Sequence, residues 1–166
     1  MNIILIGMPG CGKSTLGLQL AQDLSYNFID VDTVIEKREN KTLQEIIDND
    51  GLDIFNKAEE NALLSLDCDN TIISTGGSAV YSESGMNHIK KNAKTIYINV
   101  SLPEIKKRLV NLSTRGIAGA KEKTIEQLFD ERKPLYEKYA DFIINFDNSD
   151  VAFNTQKIIS FLGKSV

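Results

Sequence analysis

The first residues with an obvious chemical use form a glycine-rich segment near the start of the chain. Residues 7–15, GMPGCGKST, match the phosphate-binding pattern G-x-x-x-x-G-K-[ST]. Glycine lets the backbone wrap closely around phosphates, so that its N–H groups point at the anion. Lys13 would contact the β- and γ-phosphates of a nucleotide, and the Ser14 hydroxyl would bind Mg²⁺. The residues expected to bind ATP here are Gly10, Cys11, Gly12, Lys13, Ser14 and Thr15.

Two carboxylates close the next apolar run. Asp30 and Asp32 end the segment FIDVD, and at the carboxyl end of a strand both can face the cleft beside a phosphate-binding loop. One carboxylate could hold Mg²⁺ through water, while the other accepts a hydrogen bond from an alcohol that attacks the γ-phosphate. The alternative is that Asp32 only caps a helix over Thr33 to Arg38.

Two short segments are weak matches to the signatures of a GTPase. They are Asp48-x-x-Gly51 and the sequence NKAE at residues 56–59. The segments are almost adjacent within a stretch of helical pattern, and the second lacks the aspartate that would recognise guanine. A kinase therefore fits the sequence better than a GTPase.

Two arginines complete the set of candidate residues. Residues 111–123 contain two glycines and few apolar side chains, which predicts a mobile loop or lid. Arg115 in this loop could contact charge on the transferred phosphoryl group once the loop closes and excludes water; the alternative is a solvated surface arginine. Arg132, on a predicted helix, has the alternative of an exposed i,i+4 neighbour of Leu128.

Short β-rich runs alternate with longer stretches of helical pattern. Their apolar residues are mostly consecutive, as in strands covered on both faces. Helices between them are indicated by two capping boxes, Thr42-x-x-Glu45 and Ser101-x-x-Glu104. The alternation predicts an α/β fold, a three-layer α/β/α sandwich around a parallel sheet. The predicted strands are Asn2–Ile6, Asn27–Asp30, Thr71–Ser74, Thr95–Val100 and Phe142–Asn145.

Length and composition narrow the classes of function. The 166 residues predict a single domain over residues 1–166, and the net charge of −4 with only four arginines argues against a nucleic-acid partner. The apolar run after Met1 lacks the basic start of a signal peptide and the length of a membrane span, so a cytoplasmic protein without a membrane partner is expected. Cys11 and Cys68 have no metal-ligand spacing and are interpreted as free thiols. No long heptad pattern requires a partner, so a monomer is expected.

From Asn2 to about Tyr139 the ordered set of motifs resembles the shikimate kinase family. The matching segments are the phosphate-binding loop, the D-x-D pair, STGG at residues 74–77, the lid arginine, and ERKPLY at residues 131–136. The resemblance implies a five-stranded parallel sheet of order 2-3-1-4-5, the P-loop NTPase type. It also implies ATP- and Mg²⁺-dependent phosphorylation of the 3-hydroxyl of shikimate, a step of aromatic amino acid biosynthesis.

The resemblance also implies roles for single residues. Asp32 would bind the hydroxyls of shikimate and serve as base, Arg132 would bind its carboxylate, and Gly77 would offer a backbone N–H. Arg115 would cover the nucleotide phosphates. The implied catalytic residues are Lys13, Asp32 and Arg115; the metal-binding residues are Ser14 and Asp30; and the substrate-binding residues are Asp32, Asn56, Gly76, Gly77 and Arg132.

Three positions depart from the family pattern. Asn56 replaces an arginine that clamps the substrate carboxylate, and an amide cannot form the charged, bidentate contact of a guanidinium. Ser78 stands where a third glycine is usual, and Gly116 stands where proline is frequent. Lys57 follows Asn56, but one helical residue rotates a side chain by about 100°.

These departures leave three hypotheses open. The first is a shikimate kinase in which Arg132, with help from Lys57, binds the substrate carboxylate. The second is a related kinase that acts on another small hydroxylated metabolite. The third is a nucleotide-binding protein that no longer catalyses and works through a partner surface. The presence of Lys13, Ser14, Asp32 and Arg115 argues against it.

Overall fold

The structure is a computed structural model that describes residues 1–110, 116–146 and 150–163. Its centre is a five-stranded sheet in the order β2-β3-β1-β4-β5, in which all neighbouring strands are parallel. This confirms the predicted sheet and its strand order. The strands are β1 Asn2–Ile6, β2 Asn27–Asp30, β3 Thr71–Ser74, β4 Ala93–Asn99 and β5 Phe142–Asn145.

Helices connect the strands and pack in two groups. α1 lies against α8, while α4 lies against α2 and α5. Because every residue of β1 is buried, these groups must cover both faces of the sheet, as in the predicted three-layer sandwich. The helices are α1 Lys13–Leu24, α2 Val31–Glu39, α3 Leu43–Glu45 with a π-helical continuation over Ile46–Asp50, α4 Leu52–Leu64, a 3₁₀ turn at Ala79–Tyr81, α5 Glu83–Lys90, α6 Leu102–Val110, α7 Ile125–Tyr139 and α8 Val151–Gly163.

Local signals explain several boundaries. Thr42 and Glu45 form the predicted capping box at the start of α3, and α6 begins directly after Ser101. Residues 56–59 lie inside α4, so this GTPase-like match is part of a regular helix. Within the three described ranges, no helix is long and apolar enough to cross a membrane.

The carboxyl ends of three adjacent strands bring the candidate residues together. β1 leads into the phosphate-binding loop, β2 ends at Asp30, and β3 leads into residues 75–78. The strands lie side by side in the sheet, so these three segments meet at one edge, where ligands of open α/β sheets bind.

Candidate active site

The phosphate-binding loop joins β1 to α1. Gly12 has φ +97°, and a Cβ added there would lie 2.9 Å from Cε1 of Phe146, so the position requires glycine. No side chain of the described residues caps the N-terminus of α1. The N–H groups of its first turn, which includes Ser14 and Thr15, are therefore available to an anion, and the helix dipole favours one.

Lys13 is buried within this loop. Its Nζ donates hydrogen bonds to the carbonyl oxygens of Gly7 at 2.8 Å and Met8 at 2.9 Å, and it lies 3.6 Å from Sγ of Cys11. None of the ion pairs formed by the described residues includes Lys13. A buried ammonium without a carboxylate partner favours an anionic ligand.

Ser14 and Asp30 are in direct contact. The Ser14 hydroxyl donates to Oδ2 of Asp30 at 2.7 Å, while Oδ1 of Asp30 accepts from the backbone N–H of Asp32 at 3.0 Å. Asp30 is therefore the N-cap of α2, which begins at Val31. The alternative that Asp32 caps this helix is wrong, since Asp32 lies in its first turn.

Asp32 lies beside Lys13 and the turn formed by Gly76 and Gly77. It lines a cavity of about 30 Å³ together with Lys13, Gly76, Gly77 and Arg132. A Cβ added at Gly76 would lie 3.1 Å from Oδ1 of Asp32, which places this carboxylate directly against the backbone after β3. The fold thus brings two cations, one carboxylate and a glycine turn around one small space.

Arg132 is almost fully buried, at 1% exposure. Its Nη2 donates to the carbonyl of Ala118 at 2.6 Å and its Nε to the hydroxyl of Tyr81 at 3.3 Å, while its guanidinium lies 5.4 Å from the centre of the Tyr81 ring. None of the ion pairs found in ranges 1–110, 116–146 and 150–163 includes it. The alternative of an exposed surface arginine is wrong, and this second buried cation also favours an anionic ligand.

The glycine turn is held close to Arg132. A Cβ at Gly77 would lie 2.7 Å from Cδ of Pro9 and 3.1 Å from Nη1 of Arg132, so only glycine allows this approach. The hydroxyl of Tyr136 donates to the carbonyl of Gly77 at 2.6 Å. This hydrogen bond from Tyr136 on α7 holds the turn in place, a role that the sequence analysis did not assign.

Glu59 is a buried carboxyl group that the sequence analysis missed. Its Oε2 accepts from the hydroxyl of Ser78 at 2.6 Å, whereas Oε1 has no hydrogen-bond partner among the described residues. A Cβ at Gly76 would collide with Oε1, so Glu59 and Asp32 flank the same glycine. Burial raises the pKa of Glu59 to about 7; the Ser78 hydrogen bond opposes the shift, and the negative charge of Asp32 adds to it.

A sequence signal for Glu59 exists. The buried face of α4 contains Phe55, Ala58, Glu59, Ala62 and Leu63, and these positions follow the i, i+3, i+4 spacing of a helix. A carboxylate at a core position of this pattern indicates a functional or paired group.

Asn56, which the resemblance assigns to substrate binding, lies beside a cavity that Arg132 also lines, and its role stays a prediction. It is exposed and lines a second cavity of about 190 Å³ together with Ser78, Tyr81 and Arg132. Lys57 is also exposed, but it lines neither this cavity nor the smaller one. The geometry does not bring Lys57 toward Arg132.

Arg108 contacts the phosphate-binding loop as well as Glu104, and the sequence analysis assigned it no role. Its Nε donates to Glu104 at 2.9 Å, its Nη1 to the carbonyl of Cys11 at 3.3 Å and its Nη2 to the carbonyl of Phe146 at 3.4 Å. It adds positive charge behind the loop. Arg115 lies outside the described residues, and its role stays a prediction.

Comparisons with known proteins identify the family of this chain. The family model named shikimate kinase matches residues 9–163 of the chain. A shikimate kinase of Clostridium botulinum is 37% identical over 153 residues, which cover 90% of each chain. A shikimate kinase of Vibrio parahaemolyticus is 33% identical over 164 residues, covering 97% of this chain and 95% of the relative.

The fold is also shared with solved structures. The shikimate kinase of Acinetobacter baumannii, solved in complex with shikimate, superposes with a TM-score of 0.90 at 26% identity and covers 99% of this chain and 93% of its own. The match of the family model and the identity to full-length relatives both span most of the sequence. The chain belongs to the shikimate kinase family.

Proposed function

We propose that this chain transfers the γ-phosphoryl group of ATP to the 3-hydroxyl of shikimate. One observation carries the proposal: Lys13 and Arg132, two buried cations that form no ion pair with another described residue, line the same small cavity as Asp32. The reaction needs one cation for the phosphoryl group and one for the acceptor carboxylate, with a carboxylate between them that can bind a hydroxyl. The membership of the shikimate kinase family supports the same acceptor.

Each residue has a separate task in the transfer. The loop N–H groups and Lys13 would hold the phosphates and balance charge on the γ-phosphoryl group. Asp32 would accept a hydrogen bond from the 3-hydroxyl and take its proton as the new O–P bond forms and the bond to the ADP oxygen breaks. Arg132 and the backbone of Gly77 would orient the ring. Arg115 is proposed to close over the phosphates.

The residues beside the loop fit a magnesium ion. The Ser14 hydroxyl and the Asp30 carboxylate are hard oxygen ligands in direct contact, and Mg²⁺ usually takes one or two protein oxygens and completes its shell with phosphates and water. When bound, Mg²⁺ would neutralise negative charge on the nucleotide phosphates. Ser14 would contact it directly and Asp30 through water.

Binding of the acceptor requires a change in residues 116–118. The cavity beside Asp32 measures about 30 Å³ and is lined by these residues as well, whereas small-molecule sites usually enclose several hundred Å³. The larger cavity of about 190 Å³ shares Ser78, Ala118 and Arg132 with it. Outward movement of residues 116–118 would join the two cavities, which supports the proposal of a lid at about residues 111–123.

No observation favours the other two hypotheses. The second hypothesis arose because Asn56 replaces an arginine. Arg132, however, is buried and lines the cavity beside Asp32, where it could bind a carboxylate. Lys13, Ser14 and Asp32 meet at one site, which argues against a protein without catalysis. The cytoplasmic location, the monomeric state and the absence of a nucleic-acid partner stay predictions from the sequence.

The proposal is tested by following the phosphoryl group. The protein is incubated with ATP, Mg²⁺ and millimolar shikimate, and ³¹P NMR identifies the product while a coupled assay measures ADP. We expect a phosphate monoester coupled to the C3 proton and ADP formation well above hydrolysis without shikimate. A 3-deoxy analogue that keeps the carboxylate is the control and should not be phosphorylated. ADP formation that is independent of shikimate would refute the proposal.

A further inference from the structure

The cavity lined by Asn56 has a second cation besides Arg132. Lys123 lines the same cavity of about 190 Å³, together with Tyr81 and Glu131. The family clamps the carboxylate with an arginine at the position of Asn56, which here carries no charge. The cations among the described residues that line this cavity are therefore Arg132 on α7 and Lys123 just before α7, and the carboxylates of Glu122 and Glu131 line it beside them.

The backbone of Lys123 is anchored. Its N–H donates to the carbonyl of Gly119 at 2.9 Å, and the next residue, Thr124, caps α7 in a capping box with Gln127. Lys123 therefore lies where the proposed lid joins α7, the helix that carries Arg132. A side chain at this position can approach the cavity without reorganising the helix.

The carboxylate of Glu131 contacts both Lys123 and Tyr81. One oxygen of this carboxylate accepts from the ammonium of Lys123, and the other accepts from the hydroxyl of Tyr81. Tyr81 also accepts from Nε of Arg132. A carboxylate thus already lies between Lys123 and the Tyr81–Arg132 pair. The Lys123–Glu131 ion pair is largely exposed, with side chains 43% and 39% accessible, so it is weak and can exchange partners.

We infer that Lys123 is the second cation for the acceptor carboxylate, in place of the arginine that Asn56 replaces. The inference rests on the proposed function, since it assumes an acceptor with a carboxylate. On binding, the acceptor carboxylate would replace the Glu131 carboxylate as the partner of Lys123, while Arg132 contacts its other side. Lys123 would act on binding of the acceptor and not on the transfer step.

The test compares Lys123→Met with the wild type in steady-state kinetics. We expect KM for shikimate to rise about tenfold, as for loss of one charged hydrogen bond, with kcat and KM for ATP within about twofold. Lys123→Arg should keep KM within about twofold. The methyl ester of shikimate keeps the hydroxyls without the charge, so its KM should be the same in the wild type and Lys123→Met.

Lys106→Met is the matched control. Lys106 lies on α6, outside the proposed lid, pairs with Glu126 of α7 and lines neither cavity, so the variant loses a lysine that pairs with α7 away from the acceptor. It should leave KM for shikimate unchanged. Adding Asn56→Arg to Lys123→Met should restore KM, because it returns a cation to the same cavity.

The outcomes separate this inference from the proposed function. An active wild type with unchanged KM in Lys123→Met would overturn the inference and leave the function intact. An equal rise for shikimate and its methyl ester, or an equal rise in Lys106→Met, would also overturn it, because the effect would then be structural or long-range. A wild type that does not phosphorylate shikimate would overturn both.

Discussion

Replacement of Glu59 by glutamine should change how the stability of the protein depends on pH. Glutamine keeps an oxygen that can accept the hydrogen bond of Ser78 at nearly the same volume, but it cannot ionise. Glu59 is 2% exposed, and its pKa is about 7 instead of the ordinary 4.5, chiefly because of burial. The variant therefore isolates one buried titration.

The size and sign of the change in the free energy of unfolding follow from the difference in proton binding between the folded and unfolded states. The unfolded chain releases the Glu59 proton near pH 4.5, whereas the folded protein keeps it up to about pH 7. The folded state binds more protons between these values, so the free energy of unfolding falls as the pH rises through this window. The rise of the pKa from 4.5 to about 7 corresponds to roughly 3 kcal/mol of stability. This contribution is fully present below pH 4.5 and is lost above about pH 7.

Urea unfolding of both proteins at pH 5, 6, 7 and 8 measures the effect. We expect the wild type to lose a few kcal/mol relative to Glu59→Gln between pH 5 and pH 8, while groups common to both proteins cancel in the difference. Free energies that run parallel over this range would refute the assignment of Glu59 as a buried, protonated carboxyl group.

Three further predictions concern the reaction. Lys13→Ala should lower kcat at least about a thousandfold, because the γ-phosphoryl charge loses its fixed cation; single-turnover rates within tenfold of the wild type would contradict this. Ser14→Ala and Asp30→Asn should raise the Mg²⁺ concentration for half-maximal activity, measured by Mg²⁺ titration at saturating ATP, and unchanged titration curves would count against the metal site. Asn56→Arg in the wild type should lower KM for shikimate; a rise would indicate a rearranged pocket.

Much of the fold could be predicted because it depends on local patterns. Four of the five strands have the predicted bounds, since consecutive apolar residues and flanking turns define them. β4 was predicted as Thr95–Val100 and is Ala93–Asn99. Its start is set by pairing of Ala93 and Lys94 with β1, a long-range contact that hydrophobicity does not encode.

The part of the candidate site that could be predicted consists of residues in short motifs with a fixed spacing. The loop residues and the D-x-D pair lie together because the strand ends meet at one edge of the sheet. Burial of Arg132 could not be derived from its helix, because it depends on Ala118 and Tyr81, which are distant in sequence. The same holds for Glu59, whose hydrogen bond with Ser78 crosses from α4 to the turn after β3.

In the proposed mechanism, Asp32 positions an acceptor hydroxyl beside a phosphoryl group that the loop and Lys13 hold. A crystal structure with shikimate, Mg²⁺ and a non-hydrolysable ATP analogue measures this directly. We expect the 3-hydroxyl oxygen about 2.6–3.2 Å from a carboxylate oxygen of Asp32 and about 3–3.5 Å from the γ-phosphorus. Shikimate bound with every hydroxyl beyond hydrogen-bond reach of Asp32 would contradict the proposed role of Asp32 in positioning the acceptor.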